Sequence, residues 1–331
     1  MITDKTAPSI GLPLIGKGIA LLTAICVIAF IPASSLAFEV RLGTGEAGTF
    51  SHFTGRIITR LINMNTEAIH FQLVPASGDM HNLTNLNEGS LDLAVVDSRM
   101  LYDAVTKAGN FQFLDIRYEN LRSLIPLYDM PIVLVTRNDA HIDSLGQLSG
   151  KRLNIGPPRS LQQMTVDAIM SAKGWSEKDF GLITEISPSL SQDTMAFCHG
   201  TVQAMVHIGV HPDSSLQQLL QRCGGGLLGL NDKAMRQFVS QNPAYAMMKI
   251  PAGLYHSNKK GLETMGTKAI LVASGDLDSQ SVHQILALIY SNKERLHQAH
   301  PALQHISVSA GSQYDVGVEP HPGAVQYFSE N

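Results

Sequence analysis

Two stretches of this chain carry the same local instruction, and that duplication limits the folds open to it. Val40-Arg41-Leu42 reads as a short apolar strand, Gly43-Thr-Gly-Glu-Ala-Gly-Thr-Phe-Ser51 as a glycine-rich turn, and His52 to Asn63 as a helix. Arg152 to Ile155, the turn Gly156-Pro-Pro and a helix from Leu161 to Ala172, ended by Gly174, repeat the order. Each copy then continues alike. Strand Ala68 to Val74, helix Asp79 to Glu88 and strand Leu91 to Val96 follow the first turn; strand Leu182 to Ile186, helix Leu190 to His199 and strand Val202 to His207 follow the second. The span from Gly43 to Gly89 matches that from Gly156 to Gly200 to within two residues. A period this long that occurs only twice is no solenoid. It predicts an α/β fold of two lobes, each a largely parallel sheet covered by helices. Ligands of such sheets sit beyond the carboxyl ends of the strands, so the two glycine turns and Asp97-Ser98 are expected to face one cleft.

Length agrees with two lobes, since single cores stop growing at about 250 to 300 residues and this chain has 331. With 24 Lys+Arg against 28 Asp+Glu there is no basic excess of the kind that neutralises phosphates, which argues against a nucleic-acid partner. The start of the chain looks like a targeting segment. Lys5 and Lys17 precede the apolar run Gly18 to Ile31, and Ser35-Leu36-Ala37 offers small residues where a signal peptidase reads, so cleavage after Ala37 and export are expected. An uncleaved anchor is the competing reading, because Gly18 to Phe38 is uncharged and about 20 residues suffice to span a bilayer. Cys26 would leave with the leader. Cys198 and Cys223 would then meet an oxidising compartment, as a bridge worth about 3 kcal/mol or as two separate buried thiols.

Elsewhere the elements are simpler to place than to interpret. Leu121 to Arg137 reads as a strand pair interrupted by Pro126 and Pro131, a natural linker between lobes. Asp213 and Asn231-Asp232 cap two helices, Gly224 to Gly226 reads as a loop, and Lys268 to Ala273 as a strand. Asp278 to His300 reads as one long helix with Val282, Ile285, Leu286 and Ile289 buried, and His321-Pro322 opens a last helix. Phe53, Ile57 and Leu61 form the expected buried stripe of the first helix, as Leu83 and Leu86 do for the second.

Catalytic grammar is thin. Gly43-Thr-Gly45-Glu-Ala-Gly48 satisfies the dinucleotide fingerprint, but the next strand ends in Leu73-Val74-Pro75, without the acidic residue that would hold a ribose. There is no G-x-S-x-G and no H-E-x-x-H. His207 and His211 are the one close pair at a metal-like interval, yet Gly209 and Pro212 put them at a strand end and loop, so no metal, no cofactor and no enzymatic activity are expected. The tyrosines Tyr102, Tyr128 and Tyr255 read as packing, with the cleft as the competing reading for Tyr255 in its Pro-Ala-Gly turn. Asp92 and Asp103 read as solvated or structural.

Six segments in order resemble one family. Gly43-Thr-Gly-Glu-Ala-Gly-Thr-Phe, Ala76-Ser-Gly-Asp-Met-His-Asn-Leu, Leu91-Asp-Leu-Ala-Val-Val-Asp-Ser, Gly150-Lys-Arg-Leu-Asn-Ile-Gly-Pro-Pro-Arg-Ser, Ile250-Pro-Ala-Gly-Leu-Tyr and His321-Pro-Gly-Ala-Val-Gln-Tyr-Phe stand at the spacing found in the TAXI solute receptors of TRAP transporters. The resemblance implies a type II periplasmic-binding-protein-like fold that closes on a small organic acid or a glutamate-like amino acid. Such a receptor hands its ligand to a TRAP-type membrane permease and works as a monomer in the periplasm. It implies lobe 1 from 38–139 and 266–331, and lobe 2 from 140–265. Carried over by motif position, the ligand-binding residues are Thr44, Gly45, Gly48, Thr49, Phe50, Asp97, Ser98, Pro157, Arg159 and Ser160. Members with a cysteine pair placed like Cys198 and Cys223 favour the bridge. The departures concern the ligand: Glu46-Ala47 replaces a Gly-Thr pair, Asp97 lies where relatives have a nearby glutamine, Phe50 replaces a tyrosine, and Arg159-Ser160-Leu161-Gln162 replaces Gly-Ser-Gly-Thr. Extra carboxylates beside an arginine disfavour a simple dianion and suit a carboxylate at Arg159 and Ser160 with an amine near Glu46 or Asp97. A sensor that presents its closed form to a signalling partner is the competing function.

Overall fold

The structure, a computed structural model, describes residues 37–186 and 191–331. The expected leader and Cys26 lie outside the described residues. Ala37–Asn331 forms one compact unit by itself.

The duplication is visible in the sheet. Strand β1 (Phe38–Thr44), helix α1 (Phe50–Asn65), strand β2 (Ile69–Pro75), helix α2 (Asp79–Asn87) and strand β3 (Leu93–Asp97) make the first copy. Helix α3 (Ser98–Thr106) and the long strand β4 (Leu121–Arg137) follow. The second copy is β5 (Arg152–Asn154), α4 (Leu161–Lys173), β6 (Leu182–Thr184), α5 (Ser191–Cys198) and β7 (Ala204–Ile208). After it come α6 (Ser214–Cys223), β8 (Gly225–Gly229), α7 (Lys233–Gln241), β9 (Ala246–Ile250) and β10 (Leu262–Ser274). Helices α8 (Ser279–Ser291), α9 (Lys293–Ala299), α10 (Val308–Ser312) and α11 (Pro322–Glu330) close the chain.

The order β2-β1-β3-β10-β4-β7-β5-β6 reads alike from either end. In each copy the first strand lies between the other two, parallel to both, and the third pairs with a long antiparallel strand, β10 or β4. These two long strands join the halves. From Leu121 to Pro131, β4 pairs with β10; from Ile132 to Arg137 it pairs with β7 and β8. β10 changes partner in the same neighbourhood, from β9 over Leu262–Gly266 to β4 over Gly266–Ser274. The strand pair expected around Pro126 and Pro131 is therefore one strand. Its register slips opposite β10 between Tyr128 and Pro126, and a bulge is where a residue without an N–H is tolerated.

Alternation decides which side chains go to which layer. In β1 and β3, Val40, Leu42, Leu93 and Val95 face the core under α1 and α8, whereas Ala94 and Val96 face α2 and α3. In β4, Ile132 and Leu134 face the core of α4 and α7, while Val133 and Val135 face α5 and α6. β3 is buried along its whole length, as expected for a strand covered on both faces.

Three expectations need correction. Phe53 is 36% exposed, and the buried side chains of α1 are Ile58, Leu61 and Ile62 with Thr54 and Gly55, a face turned by one residue. The glycine run 224–226 is a turn for one residue only, since Gly225 begins β8 and pairs with Arg137. The long last helix is two, broken at Asn292, whose side chain bonds Leu288 O at 2.9 Å. Tyr255 packs as read: it is 2% exposed, sits in the core with Val133 and Val135, and does not line the cleft. Cys198 and Cys223 are joined by a disulfide between the ends of α5 and α6.

Candidate functional site

Both glycine turns deliver a capped helix start to one cleft. In the first, Thr49 Oγ1 accepts from His52 N–H at 3.2 Å and donates to Glu46 O at 2.8 Å, and Gly45 N–H donates to Ser51 Oγ at 3.0 Å. Gly48 has φ +99, a left-handed conformation that glycine adopts without strain. The second turn uses Ser160 in the same way, its Oγ accepting from Gln163 N–H at 3.2 Å. Arg159 has φ +65, where a residue with a Cβ is strained. Its backbone is fixed by Gln163 Oε1, which accepts its N–H at 2.6 Å, and by Asn110, which donates to its carbonyl at 3.0 Å. The guanidinium is exposed and makes no ion pair among the described residues.

The outer cleft, about 960 Å³, is lined by Gly45, Glu46 and Thr49 from the first turn, Asp79 from α2, and Arg159 and Ser160 from the second turn. It shares Ser51, Asp79 and Leu161 with an inner chamber of about 400 Å³. Phe50, Asp79, Asp97 and Tyr128 form one wall of the chamber; Ile208, Gly209, Val210 and Asp213, at and beyond the end of β7, form the other. Residues from both copies thus meet across it.

The chamber's charge is one-sided. Asp97 caps α3, its Oδ1 accepting from Arg99 N–H at 2.7 Å and its Oδ2 from Thr267 Oγ1 at 2.5 Å, while its own N–H donates to Asp79 Oδ2 at 2.9 Å. Burial pushes the Asp79 carboxyl up to about 6. Burial and the neighbouring Asp79 charge push Asp97 up to about 7, against the pull of the Thr267 hydroxyl. Tyr128, 4% exposed, stacks edge-on against Phe50 with ring centroids 4.7 Å apart. Opposite, Asp213 caps α6 through Ser215 and Leu216 N–H, and its N–H donates to Tyr255 Oη at 2.8 Å. That hydroxyl is in turn hydrogen-bonded to His211 Nδ1 at 2.5 Å, so Tyr255 holds the chamber's far wall from behind. Burial keeps His207 and His211 neutral, His211 down to about 4 with the neighbouring His207 contributing. Their ring centroids are 5.8 Å apart, and among the described residues no group of three or more His, Cys, Asp and Glu is arranged to hold a metal.

Seven of the ten residues singled out from the sequence line this space: Gly45, Thr49, Arg159 and Ser160 the outer cleft, Gly48, Phe50 and Asp97 the chamber. Thr44 and Ser98 are fully buried and committed within the protein. Thr44 Oγ1 donates to Gly45 O at 3.1 Å, and Ser98 Oγ donates to Ala244 O at 2.7 Å while accepting from Lys268 N–H at 3.0 Å. Pro157 lines neither space; its carbonyl closes the turn by accepting from Ser160 N–H at 3.1 Å. Sequence reasoning passed over Asp79 and Tyr128. The rule that pointed to Asp97 applies equally to Asp79, which opens the helix just beyond the carboxyl end of β2.

Known proteins share this architecture. The structure superposes on the periplasmic aliphatic sulphonate binding protein of Escherichia coli with a TM-score of 0.50 at 14% identity, over 88% of this chain and 79% of that one. A periplasmic sulfonate-binding protein of Methylobacillus flagellatus gives 0.50 at 12% identity over 88% and 77%. A Xanthomonas citri protein solved bound to ATP gives 0.51 at 12% identity over 89% and 95%. Identities this low establish a shared fold, that of two-lobed periplasmic solute-binding proteins. The profile of the NMT1-like family matches residues 42–331, and the chain belongs to that family.

Proposed function

We propose that this protein is an exported solute receptor that captures a small carboxylate or amino-acid-like molecule between two lobes and presents it to a membrane transporter. The observation that carries this reading is the joined cleft and chamber, lined from both copies of the α/β unit. Hinge closure needs few, well-placed connections, and the paired partner changes of β4 near Pro131 and of β10 near Gly266 supply them. The lobes proposed are 38–139 with 266–331, and 140–265, the end of β4 lying against the second. The TAXI resemblance makes a TRAP-type permease the partner of choice, with the receptor acting as a periplasmic monomer. No helix among the described residues is long and apolar enough to cross a membrane.

Arg159 and the start of α4 are the proposed carboxylate seat, since the guanidinium charge and the helix dipole act together there. Isothermal titration of Arg159→Ala against wild type tests it. Loss of a charge-assisted bond predicts affinity lower by about tenfold to a hundredfold for any carboxylate that binds. Equal affinity would remove Arg159 from the site.

A further inference from the structure

The inner chamber, rather than the cleft at its mouth, carries the information about ligand class. Its lining includes three carboxylates, Asp79, Asp97 and Asp213, and neither lysine nor arginine. Cations on the adjoining elements are already engaged: Arg99 pairs with Asp103 at 2.8 Å, and Lys268 with Asp129. Two further observations point the same way. Tyr128, 4% exposed, lines the chamber, and its hydroxyl makes no hydrogen bond among the described residues. A phenolic hydroxyl both donates and accepts, so this one can accept from a donor that enters the chamber. The rings of Phe50 and Tyr128 meet at 87° on the same wall, adding aromatic surface of the kind that attracts a cation.

We propose that the chamber takes a cationic nitrogen, making the solute a zwitterion: an amine held by Asp79, Asp97 and Tyr128, with a carboxylate reaching the outer cleft at Arg159. The proposal rests on the receptor reading above and specifies its substrate class. Asp79 is the pivotal residue. It lines both spaces, and among the described residues only its Oδ2 is hydrogen-bonded, to Asp97 N–H, which leaves Oδ1 for the ligand. Asp97 is more constrained, because both of its oxygens already accept protein donors. Burial of two adjacent carboxyls disfavours their charged forms, and a cation between them relieves that repulsion. Asp213 faces them from the far wall but is more committed, with Oδ1 capping α6 and Oδ2 3.4 Å from His207 Nε2.

The test is calorimetric titration of the protein, produced from its full-length chain, with pairs that differ at the nitrogen: L-glutamate against 2-oxoglutarate, and 4-aminobutyrate against pentanoate. The amine-bearing member of at least one pair is expected to bind, and its nitrogen-free partner at least about tenfold more weakly. Asp79→Asn should weaken that binding by about tenfold to a hundredfold without lowering the unfolding temperature, and Tyr128→Phe should weaken it several-fold. The last result separates a ligand-binding hydroxyl from a packing ring, which phenylalanine would preserve. A nitrogen-free acid binding as well as its amine counterpart, or an unchanged affinity in Asp79→Asn, overturns the inference and leaves the receptor reading standing. If no compound of either kind binds, the zwitterion inference falls, and thermal unfolding against a wider panel of acids decides the receptor reading.

Discussion

Replacing Asp79 by asparagine should make the ligand-free protein more stable at neutral pH, and the size of the gain follows from the chamber. Burial raises the Asp79 carboxyl from 3.8 to about 6 in the folded protein, and its charge helps to raise Asp97. Between pH 4 and about 6 the folded state therefore holds a proton that the unfolded chain has released. Stability falls as pH rises through that window, and above it the full cost remains. A shift of this size corresponds to about 3 kcal/mol, but Asp79 is partly open to the cleft, and solvent screening reduces the expected gain to about 1 to 2 kcal/mol. Asparagine keeps the shape and can still accept the Asp97 N–H, so the gain is electrostatic. Wild type and Asp79→Asn should be compared by thermal unfolding at pH 8 and pH 4. The variant is expected to unfold about 1.5 to 3 °C higher at pH 8, with the difference vanishing near pH 4. Acid also destabilises through His207 and His211, whose lowered pKa values mean that the fold holds them neutral; both proteins share that loss, and the difference between them isolates Asp79. A variant no more stable than wild type at pH 8, or a gain independent of pH, would refute the argument that the carboxylate is held at a cost.

Three further perturbations test other parts of the structure. Reducing the Cys198–Cys223 bridge should cost about 2 to 4 kcal/mol, read as a lower unfolding temperature in dithiothreitol than without it, while ligand binding is retained. Gly266→Ala should destabilise by about 1 to 3 kcal/mol or more in urea unfolding, because a Cβ there would lie 2.7 Å from Met130 O and 2.9 Å from Pro131 Cα, where the halves of the sheet join. Arg159→Gly should hold or slightly raise the unfolding temperature, since glycine accepts φ +65 without strain, yet weaken carboxylate binding as Arg159→Ala does.

The repeated unit was legible because it is written in redundant signals. Each copy has a glycine or capping residue at its turns, a two-residue period in its strands and a stop glycine after its helices, as at Gly174. Where a signal has no side-chain pattern it fails. β8 is Gly225-Gly-Leu-Leu-Gly229, held to β4 through its backbone, and its glycines read as a loop. The turned face of α1 was missed for a different reason, since Thr54 and Gly55 are buried without being apolar: a Cβ on Gly55 would meet Thr44 at 2.5 Å. The candidate site was half legible. Positions such as Thr49, Ser160 and Asp97 follow from helix starts at strand ends. Asp79, Asp97 and Tyr128 share a wall only because β2, β3 and β4 bring them together, and no local pattern encodes that. Thr44 and Ser98 belong to the right motifs but turn inward, which only the folded chain reveals.

The central claim is that the joined cleft and chamber bind a small solute. Thermal unfolding of residues 38–331 against a panel of amino acids, keto acids and dicarboxylates tests it most directly, because a ligand at 100 times its dissociation constant stabilises by about 2.7 kcal/mol. Amine-bearing carboxylates should shift the unfolding temperature selectively upward, by several degrees. Protein stripped of co-purified small molecules and shifted by no member of the panel would contradict it.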